Sequence, residues 1–199
     1  MSHIQLIIGG ARSGKSALAE QVAKASNWPI TYIATAQALD EEMLQRISQH
    51  QADRPEHWAL VEAPLQLANA IDSTLANSKQ GSCILVDCLT LWLSNSLCQA
   101  NADSVARVAG NLAYWQQEQQ QFLTLLEKIQ QQDNIDLILV SNEVGHGIVP
   151  MGELSRQFVD QAGWLHQAIA RLADRVEFVM AGLPLTLKPS ITANPQARL

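Results

Sequence analysis

Residues 9 to 16 are glycine-rich and read Gly9-Gly10-Ala11-Arg12-Ser13-Gly14-Lys15-Ser16. They match the pattern G-x-x-x-x-G-K-S/T, and they lie between an apolar run at residues 5–8 and a helical pattern. Glycines let the backbone N–H groups turn inward, and the following helix adds the positive end of its dipole. These features predict a P-loop, in which Lys15 reaches the β- and γ-phosphates of a nucleotide and the Ser16 hydroxyl ligates Mg²⁺.

Short apolar runs alternate with amphipathic segments along the rest of the chain. The predicted strands are residues 4–8, 30–34, 58–62, 83–87, 136–141, 175–181 and 185–188. Several are apolar without interruption, which is typical of strands buried on both faces of a parallel sheet. The predicted helices follow residue 14, follow Asp40 as a capping residue, and cover residues 65–75, 104–131 and 154–172. We therefore expect an α/β fold, a mostly parallel sheet with helices on both faces.

No repeat and no linker-like change of composition divides the chain. We expect one nucleotide-binding catalytic domain at residues 1–188 and a flexible tail at residues 189–199. The helix predicted at residues 104–131 has one apolar and one glutamine-rich face. This pattern favours a core helix with a neutral outer face, and oligomer packing is the alternative.

Charge and composition exclude several kinds of partner. The 199 residues include 13 Lys+Arg and 19 Asp+Glu, for a formal net charge of −6. Binding to polymeric nucleic acid or to an anionic membrane needs many basic groups, so we expect neither. The longest apolar window, residues 83–93, is too short to cross a bilayer, and no signal peptide is recognisable. Three cysteines without C-x-x-C spacing indicate core thiols in a reducing cytoplasm.

Two predicted strands end in polar side chains that suit a nucleotide site. The strand at residues 83–87 ends in Asp87, and the run at residues 137–143 ends in Ser141, Asn142 and Glu143. Ligands of open parallel sheets bind beyond the carboxyl ends of the strands, so both ends are expected at one crevice. Each acid alone could equally be a cap or turn residue. Together with the P-loop, Asp87 is the predicted carboxylate ligand of Mg²⁺.

His50 allows two interpretations. It lies seven residues after Met43 and three after Ile47, on the apolar stripe of its predicted helix. The pattern alone favours a semi-buried, hydrogen-bonded histidine, and the alternative is a nucleophile that attacks the α-phosphorus of a nucleotide. His57 is expected to close a turn, His146 is left open between ligand contact and solvent exposure, and neither His3 nor His166 has a recognisable partner.

Five blocks carry a family resemblance, and they occur in a specific order. They are residues 9–16 (GGARSGKS), 32–36 (YIATA), 46–58 (RISQHQADRPEHW), 86–95 (VDCLTLWLSN) and 140–150 (VSNEVGHGIVP). In these blocks the chain resembles the bifunctional adenosylcobinamide kinase/adenosylcobinamide-phosphate guanylyltransferase family of cobalamin biosynthesis, from about residue 4 to residue 188. The resemblance implies a RecA-like P-loop NTPase fold and a homotrimer. It also implies phosphorylation of adenosylcobinamide with ATP or GTP, followed by GMP transfer from GTP to that phosphate through a guanylylated histidine.

The resemblance also implies roles for particular residues. The guanylylated histidine is His50, which reverses the expectation from the helical pattern; Gln49 stands where some relatives carry a second histidine. Beyond the P-loop, the implied nucleotide contacts are Ala34, Thr35, Ala36, Gln51, Ala52, Asp53, Arg54, Glu62 and Asp87. The Glu62 carboxylate can accept hydrogen bonds from the N1–H and amino group of guanine, and a solvated acid at a strand end is the alternative.

Two rival functions follow from the P-loop alone: a simple metabolite kinase, and an ATPase or nucleotide switch that acts on a macromolecule. Simple kinases commonly close an arginine-rich lid, whereas the arginines here are scattered. A macromolecular ATPase would form no covalent nucleotide adduct. For the kinase step, the sequence offers no evident general base for the substrate hydroxyl, and the alternative is that alignment of the substrate alone is sufficient.

Overall fold

The alternation of strands and helices predicted from the sequence is present in the computed structural model, which describes residues 2–38, 40–41, 43–45, 48, 55–78, 80–98 and 105–190. Its strands are β1 (His3–Gly9), β2 (Ile30–Ala34), β3 (Ala59–Glu62), β4 (Ser82–Asp87), β5 (Ile135–Asn142), β6 (Arg175–Met180) and β7 (Leu183–Lys188). Its helices are α1 (Lys15–Lys24), α2 (Leu67–Ala76), α3 (Leu89–Leu97), α4 (Val105–Gln130) and α5 (Glu153–Leu172).

The strands form one sheet in the order β3-β2-β4-β5-β1-β6-β7. All neighbouring pairs are parallel except β6 and β7, which run antiparallel. The carboxyl ends of β1 to β6 therefore meet at one edge of the sheet. At that edge β5 lies between β1, which leads into the P-loop, and β4, which ends in Asp87. This order brings together segments that are far apart in the sequence.

Both faces of the sheet are covered by helices, as predicted. On one face, Ala19 and Ala23 of α1 pack with Ile7 and Leu85 of the strands. The other four described helices bury their apolar stripes on the opposite face, in a larger core that includes Leu67, Trp92, Trp115, Phe122, Leu165 and Ile169. The alternation of side chains along β1 explains this division, because Leu6 and Ile8 belong to the second core and Ile7 to the first.

The long helix α4 is a core helix, which is the favoured interpretation of its glutamine-rich pattern. Its Trp115 and Phe122 are fully buried, and both contact the Trp92 ring edge-on, at centroid separations of 4.8 and 5.2 Å.

The helix cap predicted at Asp40 is also present, because the backbone N–H of Met43 donates to Asp40 Oδ1 at 2.7 Å.

Helix α3 is not predicted by the pattern of the sequence. Its buried residues include Leu89, Trp92, Leu93 and Leu97, and it follows β4 with only Cys88 between them. A helix buried on most sides loses the polar face from which helical periodicity is recognised, so the sequence of this segment resembles a continuation of the apolar strand.

The predicted tail is described only to Ser190, whose Oγ lies 3.1 Å from His3 Nε2. Residues 191–199 lie outside the described part of the chain.

Candidate active site

The P-loop has the predicted context of strand, turn and helix. Gly9 ends β1 and Lys15 begins α1, with Gly14 as the N-cap residue at a φ of 96°. This left-handed conformation favours glycine because a side chain would be strained there. Arg12 is also left-handed, at a φ of 56°, and its side chain is exposed. The loop is supported from the β6–β7 turn, where the Gly182 N–H donates to the Ser13 carbonyl at 2.8 Å.

Lys15 directs its charge into this loop. The residue is 8% exposed, and its Nζ donates a hydrogen bond to the Gly10 carbonyl at 3.2 Å. The nearby Ser13 hydroxyl is buried and has no hydrogen-bond partner among the described residues. A buried ammonium and a buried hydroxyl in a turn at the start of a helix suit an anionic ligand, because both can donate to phosphate oxygens.

We expect Gly9→Ala to destabilise the protein. A Cβ atom at Gly9 would lie 2.5 Å from the Val179 carbonyl oxygen and 2.6 Å from Ser13 Oγ, so the backbone must shift. The free energy of unfolding should fall by about 2 kcal/mol, measured by urea denaturation. Gly10→Ala is the matched control, because a Cβ at Gly10 meets nothing within 4 Å. Equal stability of the two variants would contradict this packing of β1 against β6.

Asp87, Ala34 and Glu62 lie side by side at the carboxyl edge, which is the edge of the sheet where the carboxyl ends of β1 to β6 meet. Ala34 of β2 pairs with Asp87 of β4 on one side and with Glu62 of β3 on the other. Asp87 is half-buried, whereas Glu62 is exposed. Burial and the Asp87 carboxylate raise the pKa of the Cys88 thiol to about 11, and the Lys15 ammonium acts in the opposite direction. Lys15 follows the loop after β1 and Asp87 ends β4, so the two charges lie at the same edge of the sheet, with β5 between their strands.

Thr35 forms a structural contact that is not predictable from the sequence pattern. Its fully buried hydroxyl donates to the Cys88 carbonyl at 2.7 Å and accepts from the Cys88 N–H at 2.8 Å. Asn95 of α3 donates to the Thr35 carbonyl at 2.8 Å. These bonds fix the segment after Asp87 against the segment after Ala34. The nucleotide contacts expected from Thr35 and from the half-buried Ala36 stay predictions.

A second polar group lies at the end of β5, between the P-loop and Asp87. The Asn142 amide donates to Thr90 Oγ1 at 2.8 Å, and the backbone N–H of Glu143 donates to the Gly9 carbonyl at 2.9 Å. His166 Nε2 lies 2.7 Å from Ser141 Oγ.

His166 belongs to α5, and its side chain contacts the end of β5. Its Nδ1 lies 3.8 Å from Glu143 Oε2, and the residue is 8% exposed. Burial lowers the pKa of His166, and the Glu143 carboxylate offsets only part of that shift.

Sequence reasoning gives no partner to Thr90, Asn95 or His166. His166 lies among Ala162, Leu165 and Ile169 on the buried stripe of α5, and this burial was the available indication that its ring needs a polar partner. His57 lies in a turn, as predicted, where the Trp58 N–H donates to the Pro55 carbonyl at 3.1 Å. The proposed nucleophile His50 and the expected nucleotide contacts Gln51, Ala52, Asp53 and Arg54 lie outside the described residues.

The side chains at this edge fit Mg²⁺ that arrives with a nucleotide. Mg²⁺ is usually held by one or two carboxylates together with substrate phosphates and water. The Ser16 hydroxyl and the Asp87 carboxylate, next to a phosphate cradle, are donors of this kind. The part of the chain that the structure describes has no cluster of three or more His, Cys, Asp or Glu residues suited to a metal ion.

Within the described residues, no helix combines the length and apolar character needed to span a bilayer.

The chain has a strand, P-loop and helix in succession, an acid at the end of β4, and a mostly parallel sheet covered on both faces by helices. These features define a P-loop nucleotide-binding protein of RecA-like fold. A solved ATPase from a bacterial type III secretion system has this fold, at 11% identity and a TM-score of 0.50; the match covers 92% of this chain and 56% of that one. The chain belongs to the family described as cobinamide kinase / cobinamide phosphate guanyltransferase, which matches residues 5–187.

Two relatives match over nearly their whole length. The bifunctional adenosylcobalamin biosynthesis protein CobP of Pseudomonas aeruginosa is 51% identical over 183 residues, which cover 92% of this chain and 96% of the relative. The bifunctional adenosylcobalamin biosynthesis protein CobU of Escherichia coli is 37% identical over 183 residues, covering 92% and 98%. The family resemblance and the fold class inferred from the sequence are therefore confirmed.

Proposed function

We propose that this chain catalyses two successive transfers at phosphorus. It first phosphorylates the hydroxyl of adenosylcobinamide with ATP or GTP. It then transfers GMP from GTP to that phosphate through a guanylylated His50, which gives adenosyl-GDP-cobinamide. Membership of the family supports both activities. The structural observation that carries the proposal is the P-loop itself, with the buried Lys15 ammonium in the loop and Asp87 at the end of β4 on the same edge of the sheet.

In the kinase step, the P-loop holds the triphosphate while the substrate oxygen attacks the γ-phosphorus. Backbone N–H groups, the start of α1 and Lys15 are all oriented before the reaction, so they stabilise the charge of the transferred group without reorganisation. Ser16 and Asp87 would hold Mg²⁺, which neutralises charge on the β- and γ-phosphates when bound. Arg12 is exposed in the loop and can add charge-assisted contacts to phosphate.

In the guanylyl step, the same cradle holds GTP while a ring nitrogen of His50 attacks the α-phosphorus. An N–P bond forms, and the bond between the α-phosphorus and pyrophosphate breaks. The phosphate of adenosylcobinamide phosphate then displaces the histidine and takes the GMP group. Glu62 supports selection of guanine, because its exposed carboxylate stands beside Ala34 at the carboxyl edge and can accept from the guanine N1–H and amino group.

The two activities can be tested in sequence with the purified full-length protein. With Mg²⁺, ATP and adenosylcobinamide, we expect adenosylcobinamide phosphate as the product, resolved by chromatography. Addition of GTP should convert it to adenosyl-GDP-cobinamide with release of pyrophosphate. Phosphorylation without the second product would identify a simple kinase. ATP hydrolysis stimulated by a polynucleotide or protein, without either corrinoid product, would identify a macromolecular ATPase.

We also propose that the protein is a homotrimer, held partly through the apolar side chains that β7 exposes. Leu183, Leu185 and Leu187 alternate along this edge strand and so share one face, and Leu185 is 62% exposed. The loop before α5 exposes Ile148 at 97% and Met151 at 96%. Large exposed apolar groups of this kind mark protein interfaces.

Charge on the β7 face should dissociate the trimer. Leu185→Lys would place an ammonium in the buried interface, so light scattering after gel filtration should show a shift of mass from trimer to monomer. Leu60→Lys, at a 39% exposed position of the opposite edge strand β3, is the matched control and should leave the mass unchanged. A trimer that tolerates Leu185→Lys would contradict this interface.

We further propose a cytoplasmic location, where ATP and GTP are available. The free thiols of Cys83, Cys88 and Cys98 support this, because a reducing compartment preserves unpaired cysteines.

A further inference from the structure

Glu143 lies beside the P-loop through its backbone, and its carboxylate has no role in the two steps above. Glu143 directly follows β5, whose last residue Asn142 pairs with Gly9, the first residue of the P-loop. The Glu143 N–H donates to the Gly9 carbonyl at 2.9 Å, so the two segments are joined at this point. Because β5 lies between β1 and β4, a group that follows β5 stands between the P-loop and Asp87.

The Glu143 side chain is held in place from both oxygens. Its Oε1 accepts from the Gly145 N–H at 2.5 Å, and its Oε2 lies 3.8 Å from His166 Nδ1. His166 is itself held by Ser141, at 2.7 Å from the other ring nitrogen. Since burial lowers the pKa of His166, its ring is neutral near pH 7 and leaves Glu143 without a cationic partner at that contact. These contacts orient the Glu143 carboxylate without pairing it with a cation at His166.

The other acids of the carboxyl edge have different positions. Asp87 is the proposed ligand of Mg²⁺ at the end of β4. Glu62 ends β3, which is separated from β5 by β2 and β4, or about 14 Å at the usual spacing of strands. Of the acids at the edge that the structure describes, Glu143 is the one that follows a strand adjacent to β1.

We propose that Glu143 is the general base of the kinase step, with His166 and Ser141 as positioning residues. The Glu143 carboxylate takes the proton of the substrate hydroxyl while the oxygen forms a bond to the γ-phosphorus. The bond between the γ-phosphorus and the β–γ bridging oxygen breaks, and ADP leaves with that electron pair. Water then takes the proton from Glu143. This inference rests on the proposed kinase activity and deepens it.

The variant Glu143→Gln tests this assignment, because glutamine keeps an acceptor oxygen for the Gly145 N–H but loses the base. We expect kcat for phosphorylation of adenosylcobinamide to fall by about 10²- to 10⁴-fold. KM for ATP should change by less than about threefold, since the phosphate cradle is untouched. Guanylylation of preformed adenosylcobinamide phosphate needs no deprotonation of an alcohol and should proceed at the wild-type rate. Glu153→Gln, at an exposed acid in the first turn of α5, is the control for loss of one negative charge.

The possible outcomes separate this inference from the proposed function. An unchanged kcat for phosphorylation in Glu143→Gln would overturn the assignment alone. A parallel loss of phosphorylation and guanylylation would also overturn it, because it would show that Glu143 supports the loop rather than the proton transfer. Failure of the wild-type protein to phosphorylate adenosylcobinamide would overturn the proposed kinase activity and this inference together.

Discussion

Replacing Lys15 by alanine is expected to reduce phosphorylation and guanylylation together. Lys15 directs its ammonium into the P-loop, where Nζ lies 3.2 Å from the Gly10 carbonyl, and the same loop holds the nucleotide in both steps. Removing one oriented electrostatic contact from a site of this kind costs about 10²- to 10³-fold in kcat. We expect losses of at least this size, measured for each step separately with saturating nucleotide.

Lys24→Ala is the matched control for this experiment. Lys24 lies in the last turn of the same helix, its side chain is 50% exposed, and it forms an ion pair with Glu20 at 3.7 Å on the surface. Exposed pairs contribute little to stability, so this variant should keep both activities and fold normally. Retention of either activity by Lys15→Ala would contradict a single cradle that serves both transfers.

Replacing His50 by alanine is expected to separate the two activities. A nucleophile forms the covalent intermediate and cannot be replaced by binding energy alone, so GMP transfer should fall below detection. Phosphorylation does not use His50, and its rate should remain within about twofold of wild type. The measurement is the rate of each step with its own substrate, adenosylcobinamide for the first and adenosylcobinamide phosphate for the second.

His57→Ala is the control for loss of an imidazole from this part of the chain. His57 lies in a turn and is exposed, and the proposed chemistry assigns it no role. Guanylylation at the wild-type rate by His50→Ala would show that another residue is the nucleophile. Loss of phosphorylation in the same variant would show that His50 supports the fold or the P-loop instead.

Local chemistry made the P-loop and most strands predictable. The turn from β1 into α1 depends on Gly9, Gly14 and Lys15, which are close in the sequence, so the pattern specifies its own geometry. The same holds for Asp87, because an apolar run that ends in an acid already places the carboxylate at the carboxyl end of its strand. The mostly parallel sheet followed from strands that are apolar on both faces.

The contacts that complete the site were not predictable, because they join distant parts of the chain. Thr35 and Cys88 are 53 residues apart, and Asn142 and Thr90 are 52 apart. Such pairs are set by the order of strands in the sheet, which the sequence does not specify residue by residue. The pairing of Ser141 with His166 depends in addition on the rotation of α5 about its axis, which follows from packing of Leu165 and Ile169.

The role of His50 rests on resemblance more than on pattern. Its spacing in the sequence from Met43 and Ile47 favours a structural histidine, and the family reverses that interpretation. The same dependence on family applies to residues 51–54 and to the trimer, which therefore stay predictions.

Transfer of GMP through His50 is tested by mapping the site of covalent modification. The wild-type protein is incubated with GTP and Mg²⁺, digested at neutral pH, and its peptides are mapped by mass spectrometry. The proposed two-step mechanism predicts one guanylyl group on His50, lost in acid and stable in alkali, with pyrophosphate released in equal amount. Absence of a covalent nucleotide, or a guanylyl group on a residue other than His50, would contradict it.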